Sequence, residues 1–337
     1  MSDKIIKIID VNKKFSKKTI LDDINLEIKS GEIFGIIGLS GSGKTTLLNT
    51  IIGFLQPDKG DVLFKIEHLL NYKDDSLQYR SVFNNQMDVK KLFGFASQDA
   101  SVYSQLTCLE NLNYFGKLYG LSKDVRKTNN DILLKLMGIY ESRNIIAKNL
   151  SGGMLKRLDI ACSLIHDPKV LILDEPTADL DPIMRKQMWK LIKQINEKGT
   201  TIILSSHLLD ELEFLCDRVS IIYDSKILIV GTPDEIKNYY SKEQEIKIET
   251  TPGDYKKIMN QLKQLGSYQD DIKNMFITDN KLLIYSINAE VNLHQILHII
   301  ENQNEILIDV SVENPSLQDV MEKIILEKND KNISYNY

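Results

Sequence analysis

Two short stretches of the 337-residue chain hold residue types that could do chemistry together. In the first, IFGIIGLSGSGKTTLLNT at 33–50, Gly38, Gly43, Lys44 and Thr45 fit the spacing G-x-x-x-x-G-K-[ST]. Such a loop wraps backbone N–H groups round a triphosphate, and the positive end of the following helix points at the same charge. The contact set expected for a nucleotide is Gly38, Leu39, Ser40, Gly41, Ser42, Gly43, Lys44, Thr45 and Thr46. Lys44 would meet the β and γ phosphates, and the Thr45 hydroxyl would serve a magnesium ion, which takes hard oxygen ligands. In the second stretch the apolar run VLIL ends in Asp174, followed by Glu175 and Pro176. Beside a phosphate loop these carboxylates have a natural division of labour: Asp174 holds magnesium through its water shell and Glu175 polarises the attacking water. Phosphoryl transfer asks mainly for positioning and charge stabilisation, so loop, metal and base are nearly the complete equipment. Each feature alone has a plainer reading, a flexible Gly/Ser turn for the first and a helix N-terminus or turn for the second.

The elements that must position these residues follow from the hydrophobic pattern. Residues 4–11 and 19–28 alternate apolar and polar, which predicts half-buried antiparallel strands, and 33–37 is a continuous apolar strand. A helix from Lys44 to about Ile52 is closed by Gly53 and Pro57. Strands are expected at 61–66 and 92–96, with loop and short helix in the polar stretch between them. Helices are expected at 107–119, 125–138 and 151–166, then the strand 170–174. Helix 182–197, strand 200–205, helix 207–216 and strands near 218–223 and 226–230 complete the series. Strands alternating with helices imply a parallel sheet with the phosphate loop at the carboxyl edge of a strand. Beyond Asp234 the order becomes strand 244–250, helix 253–265, strands 272–278 and 281–287, helix 291–302, strand 305–312 and helix 315–326. This β-α-β-β-α-β series suggests a ferredoxin-like unit closed by a last helix that Pro315 and Ser316 begin.

Composition excludes several classes of function. A formal net charge of −5 argues against a nucleic-acid partner, for which a basic face is expected. Cys108, Cys162 and Cys216 lie far apart without metal-ligand spacing and read as buried thiols of a reducing cytosol. His294 and His298 share one helix face, but with no third ligand evident a solvated or packed face is the reading. No secretory leader pattern opens the sequence and no apolar run approaches the roughly 18 residues of a membrane span. The expectation is a protein that neither enters nor crosses a bilayer by itself.

A further motif, Leu150-Ser151-Gly152-Gly153-Met154, opens a helix upstream of Asp174. With it the chain resembles the ATP-binding domains of ABC transporters over about residues 3–235. Gln98 in FGFASQD resembles the Q-loop glutamine, His207 in ILSSH the switch histidine, and TADLDP at 177–182 the D-loop. Phe15 stands where the family stacks an aromatic ring on adenine. The resemblance implies ATP and Mg2+ as ligands, hydrolysis to ADP and phosphate, His207 at the γ phosphate, and Gln98 at magnesium as a sensor of a membrane partner. It further implies that two domains pair head to tail, so that Ser151 and the backbone of Gly152 and Gly153 in one copy close over the γ phosphate held by Lys44 of the other. With one phosphate loop and one signature per chain, a homodimer is the simplest assembly.

ENLNYFGKLYGLS at 110–122, the methionine of LSGGM and PSLQDVME at 315–322 are similar to the drug-export, daunorubicin-resistance type, in which ATPase and permease are separate polypeptides. The implied function is a transport-coupled ATPase that energises an integral-membrane permease, an exporter as in that subfamily, cytoplasmic and peripheral on the cytoplasmic face of the membrane. Two other readings are a soluble ATPase of this type acting on a cytosolic machine, which tandem nucleotide domains or a long coiled-coil insertion would favour, and a nucleotide-binding regulator without turnover, against which Lys44, Asp174, Glu175 and His207 argue. The expected fold is α/β, a P-loop NTPase core with an antiparallel β subdomain and a helical signature subdomain, plus the C-terminal α+β, ferredoxin-like domain. Its expected divisions are 1–240, with the helical part at about 100–166, then 241–327 for dimerisation or regulation, and 328–337 as a frayed tail. The sequence departs from the family pattern at Met154, a usual glutamine, at Asp179, a usually small D-loop residue, and at Ser97, often proline. The segment between Gly60 and Gln98 is longer by about ten residues, which are expected on the surface.

Overall fold

The computed structural model describes residues 3–65, 79–84, 91–240, 244–264, 272–278, 281–303, 305–314 and 316–321. The chain divides into two compact units, Met1–Thr232 and Pro233–Tyr337. The boundary falls ahead of the 240/241 division expected from sequence, because the helix Pro233–Tyr240 groups with the second unit.

In the first unit the alternating segments form long antiparallel partners, β1 (Lys4–Phe15) and β2 (Lys18–Lys29). With β4 (Lys59–Lys65) and β5 (Tyr79–Ser81) they make a sheet of order β2-β1-β4-β5. The strand β5 lies in the polar stretch read as loop and short helix. It carries no apolar period of its own and is a strand because Ser81, Arg80 and Tyr79 pair with Leu63, Phe64 and Lys65, with the Tyr79 hydroxyl bonded to the Lys4 carbonyl. The remainder of the expected insertion, 66–78 and 85–90, lies outside the described residues.

The second sheet contains β3 (Ile33–Ile37), β6 (Phe93–Ala96), β7 (Val170–Asp174), β8 (Thr201–Ser206), β9 (Arg218–Tyr223) and β10 (Lys226–Gly231), in the order β10-β9-β3-β8-β7-β6. Five strands are parallel, and β10 runs antiparallel at the edge. Helix α1 (Lys44–Ile51) follows β3, and its Leu47, Leu48 and Ile51 join one cluster with Ile6, Ile24 and Phe64 of the first sheet and Phe34, Ile172 and Ile203 of the second. Burying each such side chain contributes about 1.5–3 kcal/mol, so the phosphate loop starts from a helix that cannot shift without opening this core.

Three helices form the signature region. In α2 (Cys108–Leu118) Thr107 and Glu110 make a reciprocal capping box, and α3 (Lys123–Leu136) starts at the N-cap Ser122. Ser151 caps α4 (Gly152–Leu164), which is buried over most of its length. Helix α5 (Pro182–Asn196) begins with the N-cap Asp181 and a proline in its first turn. Helix α6 (Leu209–Leu215) starts after His207, so that this residue lies in the turn following β8 and not in the helix expected from 207.

The second unit opens with α7 (Pro233–Tyr240), a helix the sequence reading did not separate from the end of the first domain. Then come β11 (Gln244–Thr251), α8 (Tyr255–Gln264), β12 (Ile272–Thr278), β13 (Lys281–Ser286), α9 (Ala289–Asn302) and β14 (Ile306–Glu313). All neighbours in the order β12-β13-β11-β14 are antiparallel, which is the ferredoxin-like arrangement. Ile246, Ile248, Leu282 and Ile284 of the sheet pack against Ile258, Leu262 and Ile296 of the helices. Ser316 and Asp319 cap each other reciprocally, and 317–321 are helical. The expected frayed tail, 328–337, lies outside the described residues.

Candidate functional site

The phosphate loop, the Asp-Glu pair and the switch histidine follow β3, β7 and β8, and β8 is the neighbour of both other strands. Because these strands are parallel, their carboxyl ends share one edge, and the registers Ile37↔Ser206 and Asp174↔Ser205 bring the three turns level. Residues remote in sequence therefore meet for a topological reason.

The loop from Gly38 to Gly43 leaves no room for side chains at its ends. A Cβ on Gly38 would stand 2.4 Å from Ser42 Oγ and 2.7 Å from the Ile222 carbonyl oxygen, and Gly43 holds a left-handed φ of 107°. Gly43 also packs near the carbonyl of Ile20, which sets the loop beside the β1–β2 hairpin that carries the exposed Phe15 at its tip. Lys44 is buried, and its Nζ donates to the Gly38 carbonyl at 2.9 Å and lies 3.5 Å from Glu175 Oε1. Ser42 Oγ is buried without a hydrogen-bond partner, and α1 begins with no capping side chain and no acidic residue in its first turn. An uncapped helix N-terminus, an orphaned hydroxyl and a buried ammonium fit an anion such as a phosphate chain. Leu39, Ser40, Gly41 and Thr45 are exposed along this loop and Thr46 is partly so.

Asp174 and Glu175 are both buried. Ser205, which sequence reasoning passed over, organises them: its hydroxyl donates to Asp174 Oδ1, while its carbonyl and hydroxyl oxygens accept the Glu175 N–H. That anchor holds Glu175 in a left-handed backbone with φ 51°, a conformation that costs a non-glycine residue about 1–3 kcal/mol. Glu175 Oε2 is hydrogen-bonded to His207 Nδ1, whose ring is otherwise largely exposed. With an ionised carboxylate as partner the proton sits on Nδ1, leaving Nε2 for a second partner. Asp174 and the Thr45 hydroxyl supply the hard oxygens that suit magnesium. Lys44, Glu175 and His207 thus form one connected group, with Asp174 tied to it through Ser205.

Gln98 follows β6, whose register Ala96↔Leu173 beside β7 brings it to the same sheet edge, whereas the signature residues open α4. Ser151 Oγ accepts the Met154 N–H at 3.3 Å, and an N-cap serine keeps its own O–H to donate. Gly152 is exposed and Gly153 is buried against Met184. Among the described residues no hydrogen bond or ion pair joins Ser151, Gly152 or Gly153 to Lys44, Asp174, Glu175 or His207. Gln98 is exposed, and the loop carrying it is fastened to α4 by Lys156, whose Nζ donates to the carbonyls of Ser97 at 2.6 Å and Gln98 at 2.9 Å. Asp159, one turn on, accepts the Ser101 N–H at 2.9 Å and leaves Oδ2 buried without a partner. A charged pair on the buried side of α4 could have been noticed in KRLD at 156–159, where two ionisable residues sit within an apolar helical pattern. Asp179 is exposed with φ 61°. His294 and His298 are both exposed on α9, and Cys108, Cys162 and Cys216 are buried free thiols that burial pushes up in pKa.

Burial raises the Asp159 carboxyl from 3.8 to about 6, opposed by the Ser101 N–H and by Lys156. The folded protein therefore holds this proton more tightly than the unfolded chain. The group's contribution to stability is greatest below about pH 4 and is lost as pH rises through about 6, a swing of about 3 kcal/mol at about 1.4 kcal/mol per pK unit. Asp159→Asn keeps the acceptor for Ser101 and removes the buried charge. Urea unfolding should show the variant gaining on wild type by about 2–3 kcal/mol between about pH 4 and pH 7; parallel pH profiles would contradict this.

A mixed α/β core with a glycine-rich phosphate loop, an Asp-Glu pair and a histidine at one sheet edge defines a P-loop ATPase. Comparison with known proteins narrows the class: the family described as "ABC transporter" matches residues 21–178. The bacitracin transport ATP-binding protein BcrA of Bacillus licheniformis is 31% identical over 95% of this chain and 97% of its own length. The linearmycin resistance ATP-binding protein LnrL of Bacillus subtilis (strain 168) is 29% identical over 92% of this chain and 94% of its own. The solved structure of cbiO1 from Clostridium perfringens, part of the ABC transporter complex cbiONQ, superposes with a TM-score of 0.61 at 28% identity, over 79% of this chain and 97% of that one. The chain belongs to the ABC transporter family as an ATP-binding subunit and is similar to its drug-resistance members. Among the described residues no helix is long and apolar enough to cross a membrane.

Proposed function

We propose that this subunit hydrolyses ATP to drive a separate integral-membrane permease that exports a small molecule, lipid-linked compound or peptide, and that it lies peripherally on the cytoplasmic face. The observation that carries the reading is the connected group Lys44–Glu175–His207 at one sheet edge, with no hydrogen bond or ion pair among the described residues joining Ser151–Gly153 to it. A complete site then takes the phosphate loop of one copy and the signature helix of another, in a head-to-tail homodimer. The names of the two full-length relatives, bacitracin transport and linearmycin resistance, support export.

In this mechanism Lys44 and the N–H groups from Gly38 to Thr46 hold the phosphate chain, and Phe15 carries the adenine. Thr45, Asp174 and Gln98 would hold Mg2+, which when bound neutralises phosphate charge. Glu175 orients a water and takes its proton at the carboxylate, while His207, fixed by its Nδ1 bond to Glu175, presents Nε2 toward the γ phosphate. Ser151 donates its O–H, and Gly152 and Gly153 their N–H groups, from the start of α4 in the second copy. The second unit serves dimerisation or regulation.

The test is affinity purification of the tagged subunit from detergent-solubilised membranes. A polytopic membrane protein recovered in stoichiometric amount, which stimulates ATP hydrolysis when reconstituted and moves substrate away from the nucleotide side, is the expected result. Recovery of ribosomes or other cytosolic assemblies in its place would overturn the transport reading.

A further inference from the structure

Glu211, on α6, is fully buried and takes no part in the chemistry assigned above. Its Oε1 accepts from Thr177 Oγ1 at 2.8 Å and from Trp189 Nε1 at 3.0 Å. Its Oε2 accepts from Ser206 Oγ at 2.7 Å and shares the Thr177 hydroxyl at 2.8 Å. These donors belong to three segments that the chemistry needs in register. Thr177 stands in the turn that carries Glu175, Ser206 ends β8 directly before His207, and Trp189 lies on α5, behind the D-loop residues. Ser206 Oγ also accepts the Leu208 N–H at 3.0 Å, so one hydroxyl is tied to both sides of His207. Burial raises the Glu211 carboxyl above the usual range, against the three donors and nearby Arg185.

A buried carboxylate is an expensive way to fill space. On the stripe Leu208, Leu212 and Leu215, a leucine at 211 would pack without the desolvation cost. What a carboxylate supplies is a hub that only accepts, so that several donors from separate segments can converge on it. A glutamate on an otherwise apolar helical stripe was also the signal in the sequence that could have singled it out.

We propose that Glu211 is a positioning residue for hydrolysis, holding the Glu175 turn, the His207 turn and the middle of α5 in one register from behind the site. The proposal rests on the reading of Glu175 as the base. Neither Lys44 nor the phosphate loop is bonded to the hub, so its loss acts on turnover and not on nucleotide capture.

The experiment compares ATP hydrolysis and fluorescent-nucleotide binding in the full-length wild type, Glu211→Gln, Glu211→Leu, Ser206→Ala and Glu175→Gln. Glutamine keeps the size and one acceptor oxygen, and the Thr177 and Ser206 hydroxyls can turn to accept from its amide. Its kcat should fall about tenfold with KM and nucleotide affinity within about twofold of wild type. Leucine leaves three donors unpaired and should lower kcat by about 100-fold. If that variant does not fold, Glu211→Gln combined with Ser206→Ala takes its place, and the loss in the double variant should be smaller than the product of the single losses. Wild-type kcat in folded Glu211→Gln, or a loss accounted for entirely by the folded fraction or by KM, overturns the proposal. A wild type without hydrolysis, or an active Glu175→Gln, takes down the base assignment and this proposal with it. An active wild type, a dead Glu175→Gln and an unchanged Glu211→Gln defeat the positioning role alone.

Discussion

Glu175→Gln is expected to lower ATP hydrolysis on the order of 10³-fold while nucleotide affinity stays within about twofold of wild type. The amide keeps the shape of the side chain and its contact with His207 but cannot take a proton from water. The phosphate-holding groups, Lys44 Nζ and the uncapped start of α1, do not depend on that proton. Loss of the Lys44–Glu175 ion pair does not strand the lysine, which still donates to the carbonyls of Gly38 and Leu39. Steady-state phosphate release and equilibrium nucleotide titration separate the two quantities. Near-normal turnover would remove Glu175 as the base. The same variant, unable to discharge ATP, should sediment as a dimer with ATP and magnesium and as a monomer with ADP. If it stays monomeric with ATP, the role of Ser151 across the interface loses its support, because no contact within the described residues of one chain gives the signature helix access to Lys44.

The second large effect is expected at Lys44. Lys44→Ala should weaken ATP binding at least about 100-fold, or about 2.7 kcal/mol, since the substitution removes a buried ammonium aimed at the phosphate loop. It also takes a donor from the Gly38 and Leu39 carbonyls and the cation facing Glu175, so stability should change by only about 1–2 kcal/mol, with lost hydrogen bonds partly offset by relief of a buried charge. Fluorescent-nucleotide titration beside thermal unfolding tests this. Unchanged affinity in a folded variant would mean that the loop holds its ligand by backbone N–H groups alone.

The distinction between these two residues bears on what a single chain can do. In the proposed mechanism Lys44 serves capture and Glu175 turnover, and the two face each other across 3.5 Å. Among the described residues no hydrogen bond or ion pair joins the start of the signature helix to either of them. Its N-terminus is finished locally by Ser151 accepting from Met154, and its body is bound to the Gln98 loop through Lys156 and Asp159. These hydrogen bonds tie the loop that carries Gln98 to the helix that presents Ser151.

The family and much of the framework are legible along the chain. GLSGSGKT, VLILDE and LSGGM are local motifs whose function depends on residue type and spacing over a few positions, so they can be read without neighbours. The β-α-β-β-α-β order of the second unit was legible for a similar reason, because alternation and helical period are local properties. Tertiary structure decided the rest. The edge strand Tyr79–Ser81 has no period of its own and exists through pairing with β4. Ser205 reads as an ordinary strand residue until the register Asp174↔Ser205 makes it the anchor of the metal-type carboxylate and of the strained Glu175 backbone. Glu211, Lys156 and Asp159 act by hydrogen bonds to segments remote in sequence, and such partners are set only when helices and strands pack. Motifs of contiguous residues survive reading along the chain, whereas a buried polar group acquires its meaning from the donors and acceptors that the fold brings to it.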